Sequence, residues 1–298
     1  MKLMGLLVMA ALLSGCQLFP DRPAHAPAVK TISINDTSLT YLEQGTGVPI
    51  VLIHGGGSDH RVWEPQREMV AQHYRFVAID QRYFGTASWT DNGTNFQSVT
   101  HIADLAAFIR ALGAGSVRLV GTSYGANIAL ATAVQYPELV HSLFLNEPFL
   151  PSILTNPSDQ KTVAEEREGL AATIQAAKEG NTAVATRLFH DWVNDQPGSY
   201  DVLPPEQRVM RLDNARTLPL QLSLPPITLT CAQLGQIRAP ATLTTGELTR
   251  PFFKVFAEAI HRCIPASQVV IIPAATHSAG NQQPQVFNEA LLKFLSRH

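Results

Sequence analysis

Short apolar runs recur along the chain at intervals long enough to hold a helix. Ile50-Val51-Leu52-Ile53 is apolar without interruption, as a strand buried on both faces is, and similar runs follow at 76–79, 117–120, 143–145, 241–244 and 269–272. Ahead of them, residues 31–34 and 39–42 alternate apolar and polar positions about an Asn35-Asp36 turn, the pattern of a hairpin. Apolar spacing of three and four marks helices over 99–112, 126–136, 252–262 and 284–296. This succession predicts an α/β domain: a mostly parallel eight-stranded sheet with helices on both faces.

One interval breaks the rhythm. About 95 residues separate the sixth run from the seventh, far more than the usual connection of about 4–6. Helical spacing covers 163–178 and 182–193, followed by a passage with Pro204, Pro205, Pro219, Pro225 and Pro226. We expect a helical insertion over about 148–238, lying as a lid across the carboxyl edge of the sheet, where open α/β sheets place their ligands.

The N-terminus carries a different signal. Lys2 is followed by an apolar run over 3–13, too short for a bilayer span, which takes about 20 residues. It is a signal peptide in form. Leu13-Ser14-Gly15-Cys16 resembles the bacterial lipobox, which implies removal of 1–15 and lipid attachment at Cys16. Gln17, in place of an aspartate, points to the outer membrane. Residues 16–29, with Pro20, Pro23 and Pro27, form an extended tether, and 30–298 form the folded domain. The expected location is therefore the cell envelope, on the periplasmic side, held by a lipid anchor. Cys231 and Cys263 remain. We expect two buried thiols, with a disulfide as the alternative such a compartment permits.

Composition narrows the function. With 22 Lys+Arg against 24 Asp+Glu, the net charge is -2 and no stretch concentrates cations, so nucleic acid is not an expected partner. No CxxC, HExxH or His-rich cluster is present, so a metal site is not expected.

Gly121-Thr122-Ser123-Tyr124-Gly125 directly follows one buried run and precedes a helix. G-x-S-x-G in that context is a nucleophile elbow, in which a serine sits on a strained strand-to-helix turn with its hydroxyl exposed. His54-Gly55-Gly56-Gly57 ends an earlier strand. Its glycines let backbone N–H groups approach an oxyanion, and Gly56 and Tyr124 are the expected donors, with Gly57 the alternative to Gly56. A serine needs a base. Of ten histidines, His277 alone falls in a loop between the last strand and the terminal helix, at the same sheet edge as Ser123. His54 is expected beneath the glycine turn, His60 facing the pocket, and His101, His141, His190, His261 and His298 on helix faces or the surface.

The order of glycine turn, elbow, lid-sized insertion and histidine loop resembles the α/β-hydrolase superfamily across 30–298. Asp80-Gln81-Arg82-Tyr83-Phe84-Gly85 is similar to that family's D-x-R-G-x-G turn, with Tyr83 replacing the first glycine. The family commonly places its acid three residues after a glycine that here is Gly246. Thr249 occupies that position and cannot supply the charge. Glu147, in Asn146-Glu147-Pro148, and Glu247 are the two candidates. Glu147 stands in the position that resembles the acid of zearalenone lactonases and of several haloalkane dehalogenases. A serine at the elbow excludes the aspartate-nucleophile branches. What the resemblance implies is hydrolysis of a carboxylic ester or lactone without a cofactor. The aromatic side chains Trp63, Tyr83, Phe149 and Trp192, with Tyr124, Phe189 and Phe252 as further candidates, are expected to line the pocket, and so an apolar small-molecule substrate is expected. Carbon–carbon bond hydrolysis on the same fold and non-catalytic ligand binding are the alternatives.

Overall fold

The computed structural model describes residues 26–89 and 91–298. The signal segment, Cys16 and the tether up to residue 25 lie outside the described residues. Among the described residues no helix is long and apolar enough to cross a membrane.

Eight strands form one sheet: β1 (Ala28–Ile34), β2 (Thr37–Gln44), β3 (Pro49–Ile53), β4 (Arg75–Ile79), β5 (Val117–Thr122), β6 (Val140–Asn146), β7 (Ala241–Gly246) and β8 (Ser267–Ile272). Their order is β1-β2-β4-β3-β5-β6-β7-β8. The β1–β2 hairpin is antiparallel and turns at Asn35, whose φ of 45° suits a residue tolerant of left-handed backbone. β2 also runs antiparallel to β4, and every later pairing is parallel. β1 starts inside the segment read as tether, because Ala28 and Val29 already pair with Glu43 and Leu42.

Helices α1 (Glu64–His73), α2 (Ser98–Ala111) and α3 (Tyr124–Gln135) follow the central strands. Between β6 and β7 stand α4 (Pro157–Glu168), α5 (Ala171–Lys178), α6 (Thr182–Val193), α7 (Pro205–Asp213), α8 (Leu218–Ser223) and α9 (Cys231–Leu234), and the chain closes with α10 (Pro251–Cys263), α11 (Ala279–Gln282) and α12 (Pro284–Leu295). Alternate residues of one strand serve opposite faces of the sheet. Val51 and Ile53 join Leu119 and Leu243 in a core with side chains of α2, α3 and α10, whereas Ile50 and Leu52 join Phe76 and Phe144 in a second core with α1 and α12. Continuous apolar runs were needed because both faces are covered.

The inserted helices carry a small apolar cluster of their own, Ala176, Ala177, Ala185 and Leu218. Helical spacing over 163–178 does not produce a single helix. It breaks at Gly169, where an added Cβ would lie 2.8 Å from Trp192 Nε1, so the gap in side chains admits the indole, which donates to Glu166 O at 3.2 Å. Nor do the prolines abolish helix: Pro205 opens α7, where its missing N–H costs no hydrogen bond.

Cys231 and Cys263 form a disulfide, correcting the expectation of two thiols. The bridge fastens α9, the last helix of the insertion, to the end of α10. Sequence spacing could not decide this, since only packing brings the two Cα atoms to 5.0 Å.

Candidate active site

β5 runs into α3 through Ser123, whose backbone holds φ 52° and ψ −120°. A non-glycine residue in such a conformation costs on the order of 1–3 kcal/mol and persists only where its surroundings enforce it. They do so here. Ser123 N–H donates to Asn146 O at 2.8 Å, and Ser123 O accepts from Ala126 N–H at 2.9 Å. The flanking glycines are steric requirements: a Cβ at Gly121 would lie 2.7 Å from Ala126 Cα, and one at Gly125 would lie 2.3 Å from Ile53 O. Among the described residues none engages the Ser123 hydroxyl in a hydrogen bond; such bonds commonly tighten only with substrate in place.

His277 lies in the loop between β8 and α11. Its Nδ1 donates to Glu147 Oε2 at 2.5 Å. Glu147 is fully buried at the tip of β6, with φ 48°, and is held by two further donors, Gly246 N–H on Oε1 at 2.8 Å and Thr249 Oγ1 on Oε2 at 2.9 Å. Glu247 faces away from this pair and accepts instead from Ala274 N–H at 2.9 Å. Gly246 must be a glycine because the histidine loop passes directly over it, its missing Cβ lying 2.3 Å from Ala275 O.

Ser123 and His277 line one cavity together with Gly56, whereas Gly57 is not among the lining residues. His54 supports the glycine turn from below, fully buried, with Nε2 accepting from Gln81 N–H at 3.0 Å and Nδ1 against Gly55 O at 2.8 Å. Burial lowers its pKa, so it stays neutral. At the second donor position, Tyr124 turns its hydroxyl to His101 Nδ1 at 2.6 Å, which leaves its backbone N–H at the start of α3.

The cavity has two lobes meeting at Ser123. The smaller, about 60 Å³, is lined by Trp63, His190, Asn194, Arg211 and Asn281 among others. The larger, about 200 Å³, is lined by Tyr124, Phe149, Ile174, Trp192, Leu222 and Phe252 among others. Trp63, Phe149 and Trp192 therefore stand where pocket residues were expected, and Phe189 borders both lobes.

Tyr83 does not. It replaces a turn glycine at φ 75°, donates its hydroxyl to Asp91 Oδ2 at 3.0 Å, and packs edge-on against Trp89 in the loop ahead of α2. His60 is not in the cavity either. Its Nδ1 meets Asp80 Oδ1 at 2.7 Å, and although burial opposes the charged form, the bond to Asp80 raises its pKa. His101 and His190, expected on helix faces or the surface, are buried at 2% and 4% exposure. Burial drives their pKa values down to about 3 and about 2, so both are neutral. Helical periodicity could not reveal this, because the covering side chains come from other elements.

Several neighbours of the site left no sequence signal. Phe253 stacks on His277 with ring centres 4.2 Å apart. Asn146 Nδ2 donates to Thr122 Oγ1 at 3.2 Å and to His277 O at 3.1 Å, joining elbow and histidine loop. Asn194, just past α6, accepts through Oδ1 from Thr276 Oγ1 at 2.7 Å and from Ser278 N–H at 3.2 Å, gripping His277 from both sides. Gln221 of α8 sets its amide where a Cβ on Gly56 would be, 2.6 Å from Nε2.

Asp59, His60 and Asp80 are a group whose donor atoms lie within 4.8 Å of one another, close enough to hold a metal. These groups already bond one another and Arg61: Asp59 receives Arg61 Nε at 2.9 Å and Nη2 at 2.6 Å, and Asp80 Oδ1 receives both the N–H and Nδ1 of His60. Ion pairing accounts for the cluster.

The sequence profile of the alpha/beta hydrolase fold family matches residues 48–280. The chain belongs to this family. Among its relatives is 2-(acetamidomethylene)succinate hydrolase of Mesorhizobium japonicum, 24% identical over 283 residues that cover 89% of this chain and 94% of the relative. Similar solved structures include an esterase from Exiguobacterium antarcticum (TM-score 0.72, 20% identity, covering 89% of this chain and 98% of that one) and a bromoperoxidase from Bacillus anthracis (TM-score 0.72, 22% identity, 90% and 100%). Such diverse names on one alpha/beta hydrolase scaffold leave the reaction to the site itself.

Proposed function

We propose that the protein is a serine hydrolase that cleaves a carboxylic ester or lactone through an acyl-enzyme, with Ser123 as nucleophile, His277 as base and Glu147 as the acid. The observation that carries this reading is the 2.5 Å contact between His277 Nδ1 and Glu147 Oε2 at the wall of the cavity that holds Ser123. A carboxylate on Nδ1 fixes the tautomer that leaves Nε2 free to accept a proton and stabilises the imidazolium that forms.

His277 takes the Ser123 proton as Oγ attacks the acyl carbon. The carbonyl oxygen becomes an oxyanion against the N–H groups of Gly56 and Tyr124, each such donor lowering the barrier by about 3–4 kcal/mol. His277 then protonates the departing alkoxide. A water molecule, deprotonated by His277, attacks the acyl-enzyme and releases the acid and Ser123. In a lactone the departing alkoxide stays tethered to the product.

The same reading places the protein in the cell envelope, anchored through Cys16. Supporting it are the residues before that cysteine and the Cys231–Cys263 disulfide, a bond characteristic of oxidising compartments.

A fluorophosphonate probe tests the reading. It should label wild type at Ser123 and leave Ser123→Ala unlabelled, and a screen of p-nitrophenyl esters of graded chain length beside a panel of lactones should then find turnover. A folded wild type that takes no label would instead make the cavity a ligand-binding site.

A further inference from the structure

Arg211 lines the smaller lobe, and nothing in the proposed chemistry uses it. It lies in the last turn of α7, and its Nε is enclosed without a hydrogen-bond partner. The carboxylates on its side of the molecule are committed elsewhere. Asp59 gives both oxygens to Arg61 and one of them also to Asn214 Nδ2 at 2.7 Å, while Asp213 reaches Arg61 at 2.9 Å. Desolvation presses the guanidinium pKa down to about 10, against an opposing pull from Tyr200 and Asp59. It is still a cation at neutral pH. Its neighbour His190 is neutral, through burial and the proximity of Arg211 and His277, and so supplies no counter-charge.

Arg211 is half-buried, with only Nε fully enclosed, and a cation partly withdrawn from water without an ion-pair partner is tolerated in a folded chain where a ligand completes the pair. The same lobe holds a second donor in that condition: Trp63 Nε1 is buried and unpartnered. One guanidinium and one indole N–H match the two oxygens of a carboxylate better than the three of a phosphate dianion. Space agrees. About 60 Å³, at roughly 10–15 Å³ per water-sized group, holds a carboxylate and a short methylene link and little more. The apolar remainder of a substrate has the larger lobe, across Ser123.

We propose that the smaller lobe is a carboxylate-binding subsite built on Arg211 and Trp63, and that the ester or lactone cleaved is anionic, with a carboxylate a few bonds from the scissile carbonyl and an apolar group beyond it. This rests on Ser123 being the nucleophile, but the subsite can be tested apart from it.

The test compares mono-p-nitrophenyl glutarate with its uncharged counterpart p-nitrophenyl valerate. Wild type should favour the charged ester in kcat/KM. In Arg211→Leu the charged-to-uncharged ratio should fall by about 30-fold or more, mostly through KM, and Arg211→Lys should recover part of it. A wild type that favours the valerate, or a ratio the substitutions leave unchanged, overturns the subsite. Should Arg211→Leu not fold, Arg211→Lys and direct binding decide. Glutarate should raise the Tm of Ser123→Ala, which keeps both lobes, whereas inorganic phosphate and the uncharged glutaramide should not. No response to glutarate, or an equal response to phosphate, refutes the carboxylate assignment. A wild type that binds glutarate but hydrolyses no ester would refute acyl transfer and leave the subsite standing.

Discussion

Thr249 donates its hydroxyl to Glu147 Oε2 at 2.9 Å, the oxygen that also meets His277 Nδ1. The position where the family commonly carries its acid thus hydrogen-bonds Glu147, the residue proposed as the acid, at the end of the neighbouring strand. With Gly246 N–H on the other oxygen, the carboxylate is fully buried yet fully bonded.

Replacing Glu147 by Gln should lower kcat by about 10³- to 10⁴-fold, the loss typical when the histidine tautomer is no longer enforced. Glu247→Gln should leave kcat nearly unchanged, because its side chain reaches only Ala274 N–H. Thr249→Ala, which removes one of three donors, should cost about tenfold. Steady-state kinetics on a p-nitrophenyl ester separates these, and the reverse order of the two glutamates would transfer the role to Glu247.

Asn194 is a positioning residue for His277. Asn194→Ala removes the acceptor shared by Thr276 and Ser278, and kcat should fall about 10- to 100-fold with little change in KM. Asn194→Asp, which keeps an acceptor, should restore most of the rate. Equal losses in both variants, tracking a fall in Tm, would indicate a structural role only.

Acid should destabilise the fold early. His101 and His190 titrate near about 3 and about 2 when folded but near about 6.5 when unfolded, so below pH 6.5 the unfolded chain binds protons that the folded chain refuses. Each group then removes up to about 1.4 kcal/mol of stability per pH unit between about pH 6.5 and its folded value. His60, raised by Asp80, acts in the opposite sense and only above pH 6.5, losing its contribution as pH rises through its folded value. Urea midpoints should fall steadily from pH 7 to pH 5, and a shallower slope is expected for His190→Gln. A flat profile would contradict neutral burial of these imidazoles.

Reduction should loosen the insertion. The Cys231–Cys263 bridge closes a loop of 32 residues, for which chain entropy gives about 3–4 kcal/mol. Cys231→Ser, or dithiothreitol, should lower Tm by several degrees. An unchanged Tm would mean that the insertion is held by its packing alone.

The sequence by itself determined the layered α/β fold, the order of its strands along the chain and the elbow. Those depend on local pattern: continuous apolar runs where both sheet faces are covered, and glycines at 121 and 125 because a Cβ there would strike the adjacent backbone. It also narrowed the acid to two glutamates. Only the tertiary structure shows which of them His277 touches, because Glu147 meets it across 130 positions of chain through the pairing of β6 with β7 and of β7 with β8, a long-range contact that no local spacing encodes. The same holds for the burial of His101 and His190, for the disulfide, and for Tyr83, which aromatic content suggested for the pocket but the left-handed turn directs into the loop before α2. Arg211 is an ordinary cation in a helical stretch of sequence. It becomes a candidate anion receptor only when packing half-buries it, encloses its Nε and assigns the neighbouring carboxylates to Arg61.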